Sequence, residues 1–113
     1  MPPEAKKLLA DMSDAAGAIV EFVAGKTVDD FKADRLLRSA VYYQFMIVGE
    51  ALARIRDDHP DVIDRISEHW RIIGFRNQIL HGYAKIDDEI TWRIVETKLP
   101  ILRIELDQLL SQP

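Results

Sequence analysis

The stretch from Ala40 to Ala53 is apolar almost all the way round when it is wound as an α-helix. It lies inside the longest helical pattern of the chain, which runs from the capping residue Asp34 to about Asp57. A helix that is apolar on every side must be covered on every side, so this segment predicts the central, most buried element of the fold. Gln44 and Glu50 are its only strongly polar residues, and Gly49 permits a close contact with another helix or in a dimer.

Two amphipathic patterns predict long helices that pack on this central one. Residues 4–24 repeat apolar side chains at helical spacing. Near the other end, apolar residues from Trp92 to Leu109 alternate three and four apart, which indicates a seam for packing on other helices. The acidic pair Asp87-Asp88 offers the cap of that helix. Pro100 interrupts it, and we expect a kink near Glu96, whose carbonyl loses its hydrogen-bond donor.

Shorter helical pieces connect these patterns. Thr27 begins a turn of helix, with Asp30 as a weak capping partner, and Phe31 is expected to anchor that turn in the core. Pro60 breaks the chain, and a short helix follows at about residues 61–66. With no β-type alternation anywhere, the patterns predict an all-α, up-and-down bundle of four longer helices plus one or two short ones.

Composition narrows the class of protein further. A length of 113 residues fits a single domain, residues 1–113. The absence of cysteine excludes disulfides and thiol chemistry and fits a reducing cytoplasm. The longest uncharged run, Ser39 to Gly49, is too short to span a bilayer, so we expect no membrane partner. A net charge of −4 argues against coating of nucleic acid by bulk electrostatics, but it permits a local basic cleft.

A permanent cation stands in the middle of an apolar face on the fourth long pattern. This helix is predicted from Ser67, a good N-cap, to Leu80, with Gly82 as its stop. Its apolar face comprises Ile72, Ile73, Phe75, Ile79 and Leu80. Arg76 falls near the centre of that face, where an unpaired charge would be costly. We therefore predict that Arg76 pairs with Glu50, with their charged ends within about 8 Å.

The same helix carries groups suited to cleaving RNA. In that reaction the substrate's own 2′-hydroxyl attacks phosphorus, and an imidazole, with a reference pKa of about 6.5, can move the proton. A guanidinium can neutralise charge on the phosphoryl oxygens, while an amide and a phenol orient phosphate or base. The four residues concerned are Arg76, Asn77, His81 and Tyr83. The three histidines lack metal-ligand spacing, and we expect neither a metal nor a cofactor.

Each of these side chains also has a purely structural explanation. His81 could favour the negative end of the helix dipole, and Arg76 could simply hold two helices in register. Tyr83 after a tight turn could fill the core, and Trp70 could pack as a staple at the start of the helix. The residue types and their spacing leave these alternatives open.

Four residues separate Arg76 from His81, and one residue separates His81 from Tyr83. This spacing resembles the signature of HepT-like toxins, a branch of the HEPN superfamily of helical ribonucleases. The similarity extends along nearly the whole chain. It includes Ile47–Ala51 in the central helix and Ile73–Asn77 before the signature. It continues through the closing segments Ile86-Asp87, Trp92–Val95 and Leu99-Pro100.

The resemblance implies a metal-independent endoribonuclease that acts as a toxin of a type VII toxin–antitoxin pair. Arg76 and His81 would be the catalytic pair, with Asn77, Tyr83 and Glu50 in supporting or substrate-binding roles. It implies a homodimer, and we expect the apolar excess of the central helix to serve the interface. The antitoxin would be a minimal nucleotidyltransferase that transfers AMP from ATP to Tyr83. The alternative is a non-catalytic HEPN relative, a nucleotide-binding or helical adaptor protein that partners a nucleotidyltransferase.

Overall fold

The computed structural model describes residues 1–113, and all of its regular structure is helical. The elements, in chain order, are α1 (Pro3–Val23), α2 (Val28–Ala33), α3 (Arg35–Asp58), α4 (Pro60–Ile63), α5 (His69–Gly82), a 3₁₀ turn (Tyr83–Lys85), α6 (Asp88–Thr97) and α7 (Leu99–Leu110). The predicted all-α bundle is confirmed. None of these helices combines the length and the apolar character needed to cross a bilayer.

Helix α3 is the centre of the packing. It lies along α1 on one side and against α5 on another, while α1 also contacts α7 and α2 contacts α6. Phe45 and Val48 of α3 are buried, as are Met12 of α1 and Phe31 of α2, which anchors its short helix as predicted. The central position of α3 is therefore confirmed. The other helices of this chain do not cover it on every side, because one stripe that includes Tyr43 stays open to solvent.

Local sequence signals set both ends of α3. The carboxylate of Asp34 accepts a hydrogen bond from the backbone N–H of Leu37 at 3.1 Å, which confirms the predicted cap. At the other end, Pro60 occupies the first position of α4, where its missing N–H is tolerated. The short helix predicted for residues 61–66 ends earlier, at Ile63, although Ile66 beyond it is still buried in the core.

Pro100 divides the last predicted helix into α6 and α7. Asp87 caps α6, with its carboxylate accepting from the backbone N–H of Glu89 at 2.8 Å. The helix stops at Thr97, and Lys98 separates it from α7, so the interruption is a break just after the predicted kink near Glu96. Proline cannot donate to a carbonyl four residues back, and the chain therefore restarts a helix with Pro100 in its first turn. The apolar seam predicted along both helices is buried.

A polar contact inside the bundle ties α6 to α3. The Tyr42 hydroxyl donates to the carboxylate of Asp88 at 2.6 Å and lies 3.1 Å from the hydroxyl of Thr91, which is fully buried. Burial, together with the hydrogen bond to Asp88, raises the pKa of Tyr42 well above its usual range. The phenol is therefore neutral and serves as a donor that fixes the start of α6.

We expect the cap of α2 to make stability depend on pH in the acid range. Thr27 and Asp30 form a capping box, and the backbone N–H of Thr27, 2.9 Å from the carboxylate, holds the pKa of Asp30 below its usual value. This contribution is present above the unfolded-state pKa and is lost as the pH falls through the folded-state pKa. Asp30→Asn should therefore lower the melting temperature at neutral pH but have little effect in strong acid, as thermal unfolding at both pH values would show.

Candidate active site

The start of α5 differs from the sequence prediction. Ser67 is not its cap, because the Ser67 hydroxyl donates to Glu105 of α7 at 2.6 Å. Glu68 precedes the helix instead, in a left-handed conformation with φ of 52°. Its carboxylate is held by Lys98 at 2.6 Å and Arg71 at 3.1 Å, and the hydrogen bond from Lys98 lowers the pKa of Glu68. Contacts with α7 and Lys98, which are distant in sequence, therefore decide where α5 begins.

Arg76 and Glu50 form the predicted ion pair. Nη2 of Arg76 donates to Oε2 of Glu50 at 2.6 Å, and Nη1 donates to Oδ1 of Asn77 at 2.7 Å. The Arg76 side chain is 17% exposed, whereas the Glu50 side chain is 61% exposed. A pair that is open to water at one end contributes at most about 1 kcal/mol to stability. Its main consequence is that the guanidinium is fixed at two of its donor groups.

Gly49 allows this arrangement because it lets α5 approach α3 closely. A Cβ atom on Gly49 would overlap the Cβ of Arg76 and would lie 2.6 Å from its Cγ. The stem of Arg76 therefore rests on the bare backbone of α3, and the carboxylate of the next residue, Glu50, reaches the guanidinium. Of the two roles that the sequence permitted for Gly49, the close helix contact is confirmed.

His81 and Tyr83 lie at the C-terminal end of α5, which Gly82 ends as predicted. Both side chains are exposed, and Tyr83 is 76% exposed, so the interpretation of Tyr83 as a core residue is wrong. Trp70 is also largely exposed, which contradicts a buried staple. These aromatic groups and the imidazole are thus available to a ligand or a partner protein.

The geometry of one chain places the imidazole and the guanidinium on different faces of α5. Arg76 and His81 are five residues apart, which puts their side chains about 140° apart around the helix. No hydrogen bond joins His81 to the pair formed by Arg76 and Glu50. Asn77 lies between them, since it binds Arg76 and stands one turn before His81 on the same face. The polar groups therefore follow a line from Glu50 to His81.

An open cavity of about 330 Å³ lies beside the guanidinium, between α1, α3 and α5. Arg76 and Glu50 line it together with apolar side chains that include Tyr43 and Leu80. Arg54 lines it too, although it is not among the residues predicted for the site. Its position four residues after Glu50, on the same face of α3, is the signal that could have identified it. His81 is not part of this cavity.

The site offers hydrogen-bond donors and positive charge to an anionic ligand. The fixed Arg76 guanidinium and the nearby Arg54 can bind phosphate oxygens, and the exposed imidazole of His81 can exchange a proton with a substrate. Nowhere in the chain do three or more acidic or histidine side chains cluster as a metal site would require.

Comparison with known proteins gives consistent matches over most of the chain. A family model described as ribonuclease HepT-like matches residues 12–109. A candidate RNase of Methanocaldococcus jannaschii is 28% identical over 105 residues, which cover 92% of this chain and 94% of that protein. A probable ribonuclease HepT of Thermococcus cleftensis is 28% identical over 109 residues, again covering 92% of this chain and 94% of the relative. None of the solved structures matches the chain.

Proposed function

Because this chain belongs to the ribonuclease HepT-like family, we propose that it is an endoribonuclease toxin with Arg76 and His81 as its catalytic residues. The observation that carries the proposal is that Glu50 and Asn77 hold the Arg76 guanidinium, while Asn77 stands one helical turn before the exposed imidazole of His81. A purely structural ion pair would need neither the amide of Asn77 nor the exposed His81. The relatives named as RNases support the same reaction class.

In the proposed mechanism, the ribose 2′-hydroxyl next to the scissile bond is the nucleophile. His81 removes its proton, the 2′-oxygen forms a bond to phosphorus, and the bond from phosphorus to the 5′-oxygen of the next nucleotide breaks. A second imidazole protonates that leaving oxygen. Arg76 donates to the non-bridging oxygens, where negative charge accumulates in the transition state. The proposed reaction requires no metal ion, because the nucleophile belongs to the substrate.

We propose a homodimer as the source of the second imidazole. The open stripe of α3 carries Leu36, Tyr43 and Ile47, followed by Glu50 and Arg54, with spacings of seven, four, three and four residues. Leu36 is 80% exposed and Tyr43 is 61% exposed, which is unusual for such large apolar side chains on a helix. A second copy packed on this stripe would cover it and bring two sets of polar residues together.

Tyr43→Glu is expected to convert the protein to a monomer. The change places a charge in the middle of the open stripe, where burial against a second copy would be costly. Sedimentation at micromolar concentration measures the result. Ile104→Glu serves as the control, because Ile104 is equally exposed but lies on α7, away from the stripe. A monomeric wild-type protein under the same conditions would remove the dimer from the proposal.

We propose that a minimal nucleotidyltransferase neutralises the toxin by modifying Tyr83. The Tyr83 side chain is exposed at the end of α5 and can enter another protein's active site. Its hydroxyl oxygen would attack the α-phosphorus of ATP, pyrophosphate would leave, and the phenolic proton would pass to a base of the transferase. The added phosphate and nucleoside would obstruct the substrate's approach to His81 with bulk and negative charge.

The location of the protein in the cytoplasm, which the absence of cysteine favours, also stays a prediction.

Incubation with the transferase and ATP should raise the intact mass by whole AMP units. We expect no increase for Tyr83→Phe, because that variant lacks the accepting oxygen. Tyr43→Phe is the matched control, since Tyr43 is also a largely exposed tyrosine, and it should be modified like the wild type. Mass addition to the Tyr83→Phe protein would show that the modification lies elsewhere.

A second candidate is a non-catalytic relative that binds nucleotides or adapts a nucleotidyltransferase to other proteins. The observation that favours it is that Glu50 and Asn77 already occupy two donor groups of Arg76. Incubating RNA with purified wild-type and Arg76→Ala proteins distinguishes the two candidates. The ribonuclease should produce new fragments, and the variant should not. Intact RNA at every pH near neutral, together with binding to the transferase, would favour the adaptor.

A further inference from the structure

A second groove lies between α5 and α6, with a volume of about 460 Å³. Its wall on α5 contains Arg71, Gly74 and Gln78, which lie on the side of that helix opposite Arg76. Its wall on α6 contains Arg93. The groove is therefore separate from the cavity beside the Glu50 and Arg76 pair.

The charge of this groove is opposite to that of the chain as a whole. Arg71, Arg93 and Lys98 line it, and none of its lining residues is acidic. Glu68, just outside, pairs with Arg71 and Lys98, whereas Arg93 makes no ion pair. Three cations and one nearby carboxylate therefore leave a positive excess here, in a protein whose net charge is −4. This arrangement attracts an anionic ligand.

The floor of the groove is apolar and open. Ile72 and Phe75 line it, and both are buried members of the core. Ile90 of α6 adds a half-exposed apolar group to the rim. At Gly74, no neighbouring atom comes within 4 Å of where a Cβ would stand, so the space above the α5 backbone is free. A flat apolar group such as a nucleobase can therefore enter between the two helices.

The groove leads toward the proposed catalytic imidazole. Gln78, which lines it, precedes His81 by three residues, so the two side chains are neighbours about 60° apart around α5. His81 is thus closer in direction to this groove than to Arg76. A ligand that occupies the groove and extends past Gln78 would run toward the side of α5 that carries His81.

We propose that this groove binds the single-stranded RNA that flanks the scissile bond. A base lies on the apolar floor above Gly74, and the neighbouring phosphate is bound by Arg93, whose guanidinium has no competing carboxylate. Unpaired bases bind apolar surfaces and guanidinium planes, and phosphates supply the negative charge that the groove favours. An acidic protein segment would match the charge alone, and it would have no reason to continue toward His81. This inference rests on the proposed ribonuclease function.

Binding of a fluorescently labelled oligouridylate to the His81→Ala protein tests the groove without requiring cleavage. In this His81→Ala background, the further change Gly74→Glu should weaken RNA binding about 10-fold, because the new side chain fills the groove and its charge repels phosphate. The control is Gly17→Glu, which makes the same change at a helical glycine of α1 with equally free surroundings. Arg93→Ala should weaken binding by a factor of about 3–10, and Arg103→Ala on α7 should leave it unchanged.

The Arg93→Ala comparison keeps the test decisive even if the Gly74→Glu protein folds poorly. Equal RNA affinity for the Arg93→Ala and Arg103→Ala proteins would overturn the groove as an RNA site. So would a groove variant that loses binding to an acidic peptide but retains binding to RNA. If the wild type binds the oligonucleotide through the groove but cleaves no RNA, the groove stands and the ribonuclease proposal fails.

Discussion

Replacing His81 with alanine is expected to slow RNA cleavage by about 10²–10⁴-fold and to leave the melting temperature nearly unchanged. The side chain is exposed, and it makes no hydrogen bond that the fold would lose. Substitutions at such surface positions usually change stability by about 0.5 kcal/mol or less. A structural role at the helix dipole predicts the reverse, with cleavage intact and stability reduced by up to about 1 kcal/mol.

The measurement for His81 is the initial rate of cleavage of a labelled RNA, together with a thermal unfolding curve. His59→Ala is the matched control, because it removes an imidazole at the junction of α3 and α4 that has no contact with the polar cluster of Glu50, Arg76 and Asn77. His59 is half-buried, so this control should lose some stability but keep its cleavage rate at low temperature. If His81→Ala cleaves as fast as the wild type, the imidazole has no catalytic role.

Gly49→Ala is expected to reduce both stability and cleavage, although it adds a single methyl group. The new Cβ would overlap the stem of Arg76, so α3 and α5 must separate or the guanidinium must move. Overpacking of this kind costs about 1–3 kcal/mol, which exceeds the gain of about 0.5–1 kcal/mol from alanine in a helix. A displacement of Arg76 by about 1 Å can slow catalysis by as much as 10²-fold.

Gly17→Ala provides the comparison for Gly49→Ala, since no atom lies within 4 Å of a Cβ at Gly17. That variant should gain about 0.5–1 kcal/mol of stability and keep its activity. Denaturant unfolding and cleavage rates measure both effects. If Gly49→Ala is as stable and as active as Gly17→Ala, close seating of Arg76 on α3 does not matter for the site.

Some features of this fold and site could be predicted because they arise from local chemistry. The Asp34 and Asp87 caps depend on residues three or fewer positions away, and sequence is sufficient for them. The pairing of Glu50 with Arg76 was predictable for a different reason. Each is the polar exception on an otherwise apolar surface, and the mostly buried guanidinium of Arg76 requires a partner.

Other features depend on contacts that no local pattern specifies. The sequence predicts Ser67 as a helix cap, but in the structure its hydroxyl donates to Glu105, which lies 38 positions further along the chain. The sequence indicates an apolar excess on α3 but not which of its residues stay open, because apolar residues look the same whether the bundle or a second copy covers them. The sequence indicates that Arg71 and Arg93 belong to a basic group near the catalytic helix, but only the packing of α5 against α6 shows that they line one groove.

The chemistry of the RNA ends, determined after cleavage by the wild-type protein in excess chelator, tests the central claim most directly. We predict that cleavage continues without divalent ions and leaves a 2′,3′-cyclic phosphate on one product and a 5′-hydroxyl on the other. That outcome follows if the substrate's 2′-hydroxyl is the nucleophile and Arg76 and His81 supply the charge and the proton transfer. Products with 3′-hydroxyl and 5′-phosphate ends, or loss of cleavage in chelator, would contradict it.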